Sequence, residues 1–225
     1  MAMKKRTTLC ALALLALALV LPAVAPAKIT EVGILPETTP ATVASCPGSP
    51  CLAVSRTTGF QVRVGSSVRP LTSKRAGTIV AWTISLGKPN ATQVKFFNAN
   101  EGGESEAALA ILREVPGLPH LNYKLIAQSP PVKLRPYFGE TAQFPLERTI
   151  PIRKGDIVAL AVPTWAPALA LGFGHETSWR ASRPRKSCSS TSSQSTQTVV
   201  GSAVQYICLY QTARLTYSAT LVSTP

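Results

Sequence analysis

Carboxylates are scarce in this chain of 225 residues. Asp156 is the one aspartate, and all acids together number 10 against 23 lysines and arginines. That scarcity narrows the chemistry. Glycoside hydrolysis needs two carboxyl groups facing each other across a cleft, and no spacing singles out a pair among Glu140, Glu147 and Glu176. Glu101, Glu104 and Glu106 cluster on one expected loop. A calcium ion wants several oxygen ligands, which such a cluster could in part supply, but a solvated acidic loop is the commoner origin of three clustered glutamates and is the reading here. Asp156 falls in RKGD, a turn where its carboxylate can bond local backbone. Histidines number two, His120 and His175, and neither lies near a cysteine pair of CxxC form, which excludes a zinc site. His175-Glu176 has Ser178 and Ser182 nearby, but no GxSxG elbow and no second placed acid accompany them. The residues therefore yield no catalytic set, no metal ligands and no cofactor.

Only one long apolar run occurs, and it is at the start. MAMKKR gives a positive lead, LCALALLALALVL an apolar stretch of export length, and Ala25-Pro26-Ala27 a small-residue cleavage site before Lys28. Residues 1–27 read as a secretory signal peptide and stand outside the fold. Retained, the same segment would serve as an anchor; cleaved, it leaves no transmembrane span. The 198 residues that remain suffice for one domain with a substantial core. They carry 20 basic residues against the 10 acids, about +10. Such a balance favours anionic partners: wall polymers, lipid headgroups or extracellular nucleic acid. A high-GC bacterial composition would produce the same charge without any partner.

Four cysteines follow the leader, and four allow three pairings. Cys46 and Cys51 bracket the turn-forming Pro47-Gly48-Ser49-Pro50, while Cys188 and Cys208 bracket a polar Ser/Thr-rich segment, Ser189 to Ser202. Two local disulfides, Cys46–Cys51 and Cys188–Cys208, are expected in an exported chain. The second closes a loop worth about 3 kcal/mol in the chain-entropy treatment.

Alternation of period two marks half-buried strands. In GTIVAWTISLG it places Val80, Trp82, Ile84 and Leu86 on one face; in HLNYKLIAQS, Leu121, Tyr123 and Leu125; in ARLTYSATLV, Leu215, Tyr217, Ala219 and Leu221. GFQVRV, QVKFFN, DIVALAV and VQYICLY add shorter strands. Asn90-Ala91-Thr92, a glycosylation sequon by pattern, marks a surface turn. EGGESEAALAILREV reads as a loop running into a strand, and residues 194–204 have spacing for at most one short helix. Neither a repeat nor an interdomain linker is visible. The chain is expected to be all-β: a single two-sheet antiparallel sandwich over residues 28–225, jelly-roll-like, with two local disulfides.

GTIVAWTISLGKPN, VKFFN, PYFGETAQFPL, KGDIVALAVPTWAPAL and TARLTYSATL together resemble a family of secreted β-sandwich, jelly-roll-like proteins of high-GC soil bacteria. The resemblance spans most of the chain after the leader, including the last cysteine pair. It implies the fold and export, and it brings no catalytic residue or ligand with it.

The remaining signal is aromatic and basic. Trp165 stands between two prolines in PTWAPAL, and Trp179-Arg180, Arg183, Arg185 and Lys186 follow. Aromatic faces beside guanidinium groups can stack sugar rings or grip anions, and these six residues are the candidate ligand-binding set. The opposing reading has Trp165 plugging the sandwich end. A binding or cell-envelope-associated module for cell-wall polysaccharide or another anionic polymer is the expectation, with no sequence-specific nucleic-acid contact. A secreted glycan hydrolase and a purely structural extracellular protein are the alternatives.

Overall fold

A computed structural model describes residues 26–35, 45–49, 51–117, 120–183, 188 and 195–223. Most of the expected signal peptide, Arg185, Lys186 and the first part of the Ser/Thr-rich segment lie outside them. The described chain is all-β, as expected, with antiparallel sheets and one α-helix. The smaller sheet has the order β1 (Lys28–Val32), β15 (Tyr217–Ser223), β4 (Gly77–Ser85), β8 (Thr141–Ile152). The larger curls into a half-barrel. Its order is β12 (Ala203–Gln205), β6 (Asn122–Gln128), β5 (Glu106–Glu114), β9 (Ile157–Ala166), β2 (Val54–Val64), β11 (Ser178–Ala181), β13 (Cys208–Gln211). Short β3 (Ser67–Val68) and β7 (Val132–Lys133) flank β2 and β5, and β10 (Leu169–Leu171) pairs with β14 (Ala213–Leu215).

The two sheets share one core. Ile79, Trp82, Ile84, Leu109, Ile111, Leu125, Leu160 and Tyr217 are buried in a single cluster. β5 and β9 are buried along both faces because each is central in the half-barrel. Their apolar runs, ALAIL and IVALAV, match that position. Asp156, at the turn into β9, receives two parallel hydrogen bonds from Arg113 of β5, at 2.7 and 2.8 Å, and one from the Arg153 backbone N–H at 2.9 Å. The ion pair raises the pKa of the Arg113 guanidinium through that hydrogen bond.

Both expected disulfides are present, Cys46–Cys51 and Cys188–Cys208. Three local expectations are corrected. QVKFFN is no strand: residues Ala91–Asn100 form helix α1. Asn90, expected in a surface turn, caps it. Its side chain accepts from Gln93 N at 2.9 Å while Gln93 Oε1 accepts from Asn90 N at 2.8 Å, a reciprocal capping box. In β4 a register shift between Ile79 and Ala81 resets the alternation, so Ile79 is fully buried in place of Val80.

Three of the four polar positions of ARLTYSATLV do not face water. Arg214, Thr216 and Ser218 are buried, with Thr216 Oγ1 donating to Ser85 O at 2.6 Å and Ser218 Oγ to Glu31 at 2.7 Å. The chain after β1 passes over this face so closely that a Cβ on Gly33 would meet Ser218 Cα at 3.2 Å. Residues 195–202 form no helix and are mostly exposed, Gln197 being the one that turns inward. Gln197 is buried, with Nε2 donating to Tyr123 O at 3.1 Å and Ser202 O at 2.8 Å while Oε1 accepts from the Tyr206 hydroxyl at 2.6 Å. The segment's backbone is tied to β2 by Gln197 N donating to Thr58 Oγ1 at 3.0 Å. At Gln197 polarity serves internal hydrogen bonding, since buried polar groups need partners.

Candidate functional site

The six candidate residues separate in space. Trp165, near the end of β9, is fully buried. Its ring stacks on Phe97 of α1 at 4.7 Å, and its indole N–H donates to Asn98 Oδ1 and Gly103 O, both at 3.0 Å. This tryptophan fastens the helix to the sandwich and has no donor left for a ligand. Arg180 on β11 donates Nη1 to the carbonyls of Tyr206 and Ile207, at 3.2 and 2.8 Å. It ties the chain leaving β12 to the sheet, and its burial lowers the guanidinium pKa. Arg185 and Lys186 lie outside the described residues.

Trp179 and Arg183 come together with a residue the sequence did not single out, Tyr210. The register of β11 and β13 sets Tyr210 directly opposite Trp179, and the two rings stack at 4.7 Å. The other strand neighbour supplies Gly59, where a Cβ would meet the indole ring at 2.9 Å. Only 5% of Trp179 is exposed, so the expected open stacking platform is absent. What the indole leaves unmatched is its N–H: Nε1 is buried without a hydrogen-bond partner among the described residues. Arg183 is 8% exposed, donates Nη1 to the Tyr210 hydroxyl at 2.8 Å, and leaves its buried Nε likewise unmatched. Tyr210 passes the chain of bonds to Cys188 O at 2.8 Å. Burial pushes its phenol pKa up, with Arg183 opposing, so the hydroxyl keeps its proton.

These three side chains line a cleft of about 510 Å³. The Cys51–Ser55 approach to β2, Phe97 and Glu101 from α1's end, β10, and the turn from β13 to β14 complete its walls. Leu52, Leu169 and Leu171 make one side apolar. Glu101 is the one carboxylate on the lining, and Arg56 Nε holds it at 3.1 Å. On the rim, exposed His175 meets Gln211 Oε1 at 3.3 Å. The cleft thus presents buried hydrogen-bond donors and an apolar wall, a composition suited to a ligand that brings oxygen acceptors.

The other acids noted from the sequence are dispersed. Glu104 is ion-paired with Lys133 at 2.9 Å, which lowers its pKa, so Glu101 and Glu104 have separate cationic partners. Glu147 is the sole carboxylate lining a separate cleft of about 720 Å³ beside β8. Among the described residues no group of three or more His, Cys, Asp or Glu is arranged to hold a metal ion, and no helix is long and apolar enough to cross a membrane. Compared with known proteins, the chain matches no family model, no curated protein and no solved structure.

Proposed function

We propose that the chain is an exported, non-catalytic binding module, built on a jelly-roll-like sandwich, that holds an anionic glycan of the cell envelope in the Trp179–Arg183–Tyr210 cleft. One observation carries the reading. Two donors of cleft-lining residues, Trp179 Nε1 and Arg183 Nε, are buried without acceptors among the described residues, and an unmatched buried donor costs about 1–3 kcal/mol. A sugar hydroxyl, carboxylate or phosphate oxygen that reaches either nitrogen, as the side chains covering it shift, would satisfy it. The volume suits one or two sugar residues, whose apolar face would lie against Leu52, Leu169 and Leu171. Cleavage of a glycosidic bond asks for a second carboxyl group, and Glu101 stands alone on the lining, bound to Arg56. The two disulfides favour an oxidising location outside the cytoplasm.

Retention of the exported protein on isolated cell wall and purified wall polysaccharides, at low and high salt, tests this. Binding that survives high salt is expected, weakened about tenfold or more by Arg183→Gln, since a charged hydrogen bond contributes about 1.5–3 kcal/mol. Trp179→Phe, which keeps a ring and removes the N–H, should weaken it several-fold. Retention abolished by salt, or unchanged in both folded variants, would refute the assignment.

A further inference from the structure

A second concavity, sharing no lining residue with the Trp179 cleft, has a different chemistry. It measures about 440 Å³ and lies between β1 and the chain from β3 to Arg75. Four cations line it: Lys28, Arg69, Lys74 and Arg75, all exposed. None belongs to an ion pair among the described residues. The single acid on the lining, Glu31, is turned to its own sheet, accepting from Ser218 at 2.7 Å and Thr220 at 3.0 Å. Two large apolar side chains stand among the cations, Val68 at 65% exposure and Ile34 at 38%. They are two of the six large hydrophobic residues left exposed among the described residues. Solvated cations alone would not call for apolar neighbours held out in water. Cations around protruding apolar tips match a bilayer surface, where anionic headgroups meet the first methylenes.

We infer that this concavity is a peripheral membrane-docking face, in which Lys28, Arg69, Lys74 and Arg75 grip anionic lipid headgroups while Val68 and Ile34 dip between them. Its position adds to the charge argument. Lys28 follows the apolar leader directly in sequence, so a molecule still joined to that segment would have this face at the bilayer. After cleavage, the same face would hold the module near the membrane while the other cleft takes its glycan. The inference does not depend on the glycan reading, because the two sites share no residue.

Vesicle sedimentation separates the possibilities. The exported protein, its N-terminus fixed by mass, is mixed with vesicles of phosphatidylcholine alone or of equal parts phosphatidylcholine and phosphatidylglycerol. Binding is expected only to the anionic vesicles. Lys74→Ser with Arg75→Ser should weaken it about ten- to thirtyfold, each cation near an anionic surface raising the affinity about three- to fivefold. Val68→Ser, one exposed residue, should weaken it about threefold or more by removing the apolar contact. The control pair Lys88→Ser with Lys95→Ser removes the same charge from another basic concavity and should leave most of the binding intact. Equal losses in both pairs would reduce the effect to net charge and overturn the inference. Absence of vesicle binding would overturn it as well, as would displacement from vesicles by a soluble anionic wall polysaccharide at this face. A Lys74/Arg75 variant that fails to bind vesicles yet keeps wall retention would show the two sites to be separate.

Discussion

Trp165 and Trp179 show how far environment decides what a residue type does. Both have buried rings stacked on a neighbouring aromatic, yet one indole N–H has two acceptors and the other has none among the described residues. Trp165→Phe therefore strands Asn98 and Gly103, whereas Trp179→Phe strands no described group. Urea unfolding should show the Trp165 variant less stable than the Trp179 variant by about 1–2 kcal/mol, and equal losses would contradict these hydrogen-bond assignments. The sequence already placed Trp179 and Arg183 in a ligand-binding set, because an aromatic near arginines is visible locally. It could not reveal Tyr210, whose role depends on the pairing of β11 with β13 across a disulfide-closed loop. Nor could it reveal that Trp179's ring face is covered while its N–H is left over, since both follow from Gly59 and Tyr210 on neighbouring strands.

At the scale of elements, the strands were legible wherever alternation persisted. They misled where a local device intervened. Helix α1 was hidden by the β-favouring letters of QVKFFN, although Asn90 and Gln93 stand at capping-box spacing. The described part of the polar stretch before Cys208 is mostly surface, as its composition indicates, but composition cannot tell which of its residues is hydrogen-bonded inside. Residues 195–202, largely exposed, are strapped to the sheet through the one buried side chain, Gln197, which bonds Tyr123 and Tyr206. That strap carries a pH dependence. Burial raises the Tyr206 pKa far above that of a free phenol, as it does for Tyr217 and, less strongly, Tyr123. The unfolded chain ionises these groups near pH 10 while the folded one keeps them protonated. Their contribution is thus full below about pH 10 and falls as pH rises beyond it. Thermal melts at rising pH should show a steady midpoint up to about 10 and a decline above, with tyrosinate absorbance appearing together with unfolding. Tyrosinate absorbance from all these residues ahead of unfolding would contradict their burial.

For the molecule as a whole, a single sandwich core was foreseeable from strand count, length and short turns. The charge was foreseeable too, but its distribution was not. The excess of cations divides into Arg113 and Arg56, committed to Asp156 and Glu101, and others such as Lys28, Lys74 and Arg75 left to solvent on one concave face. A sandwich makes such a division possible: its ends and edges carry loops whose side chains need not pack, while the sheets fix where those loops sit. The two proposed sites, a cleft beside buried donors and a basic face with apolar tips, sit on one such frame.

The measurement closest to the central claim follows the indole N–H resonances of the exported protein while wall-derived acidic oligosaccharides are added. Trp82, Trp165 and Trp179 give three such signals. A saturable shift of the Trp179 resonance, with that of Trp165 unmoved, is the result expected if the unmatched donor receives a ligand oxygen. A panel that leaves Trp179 unshifted, or that moves only Trp165, would contradict the assignment of this cleft as the binding site.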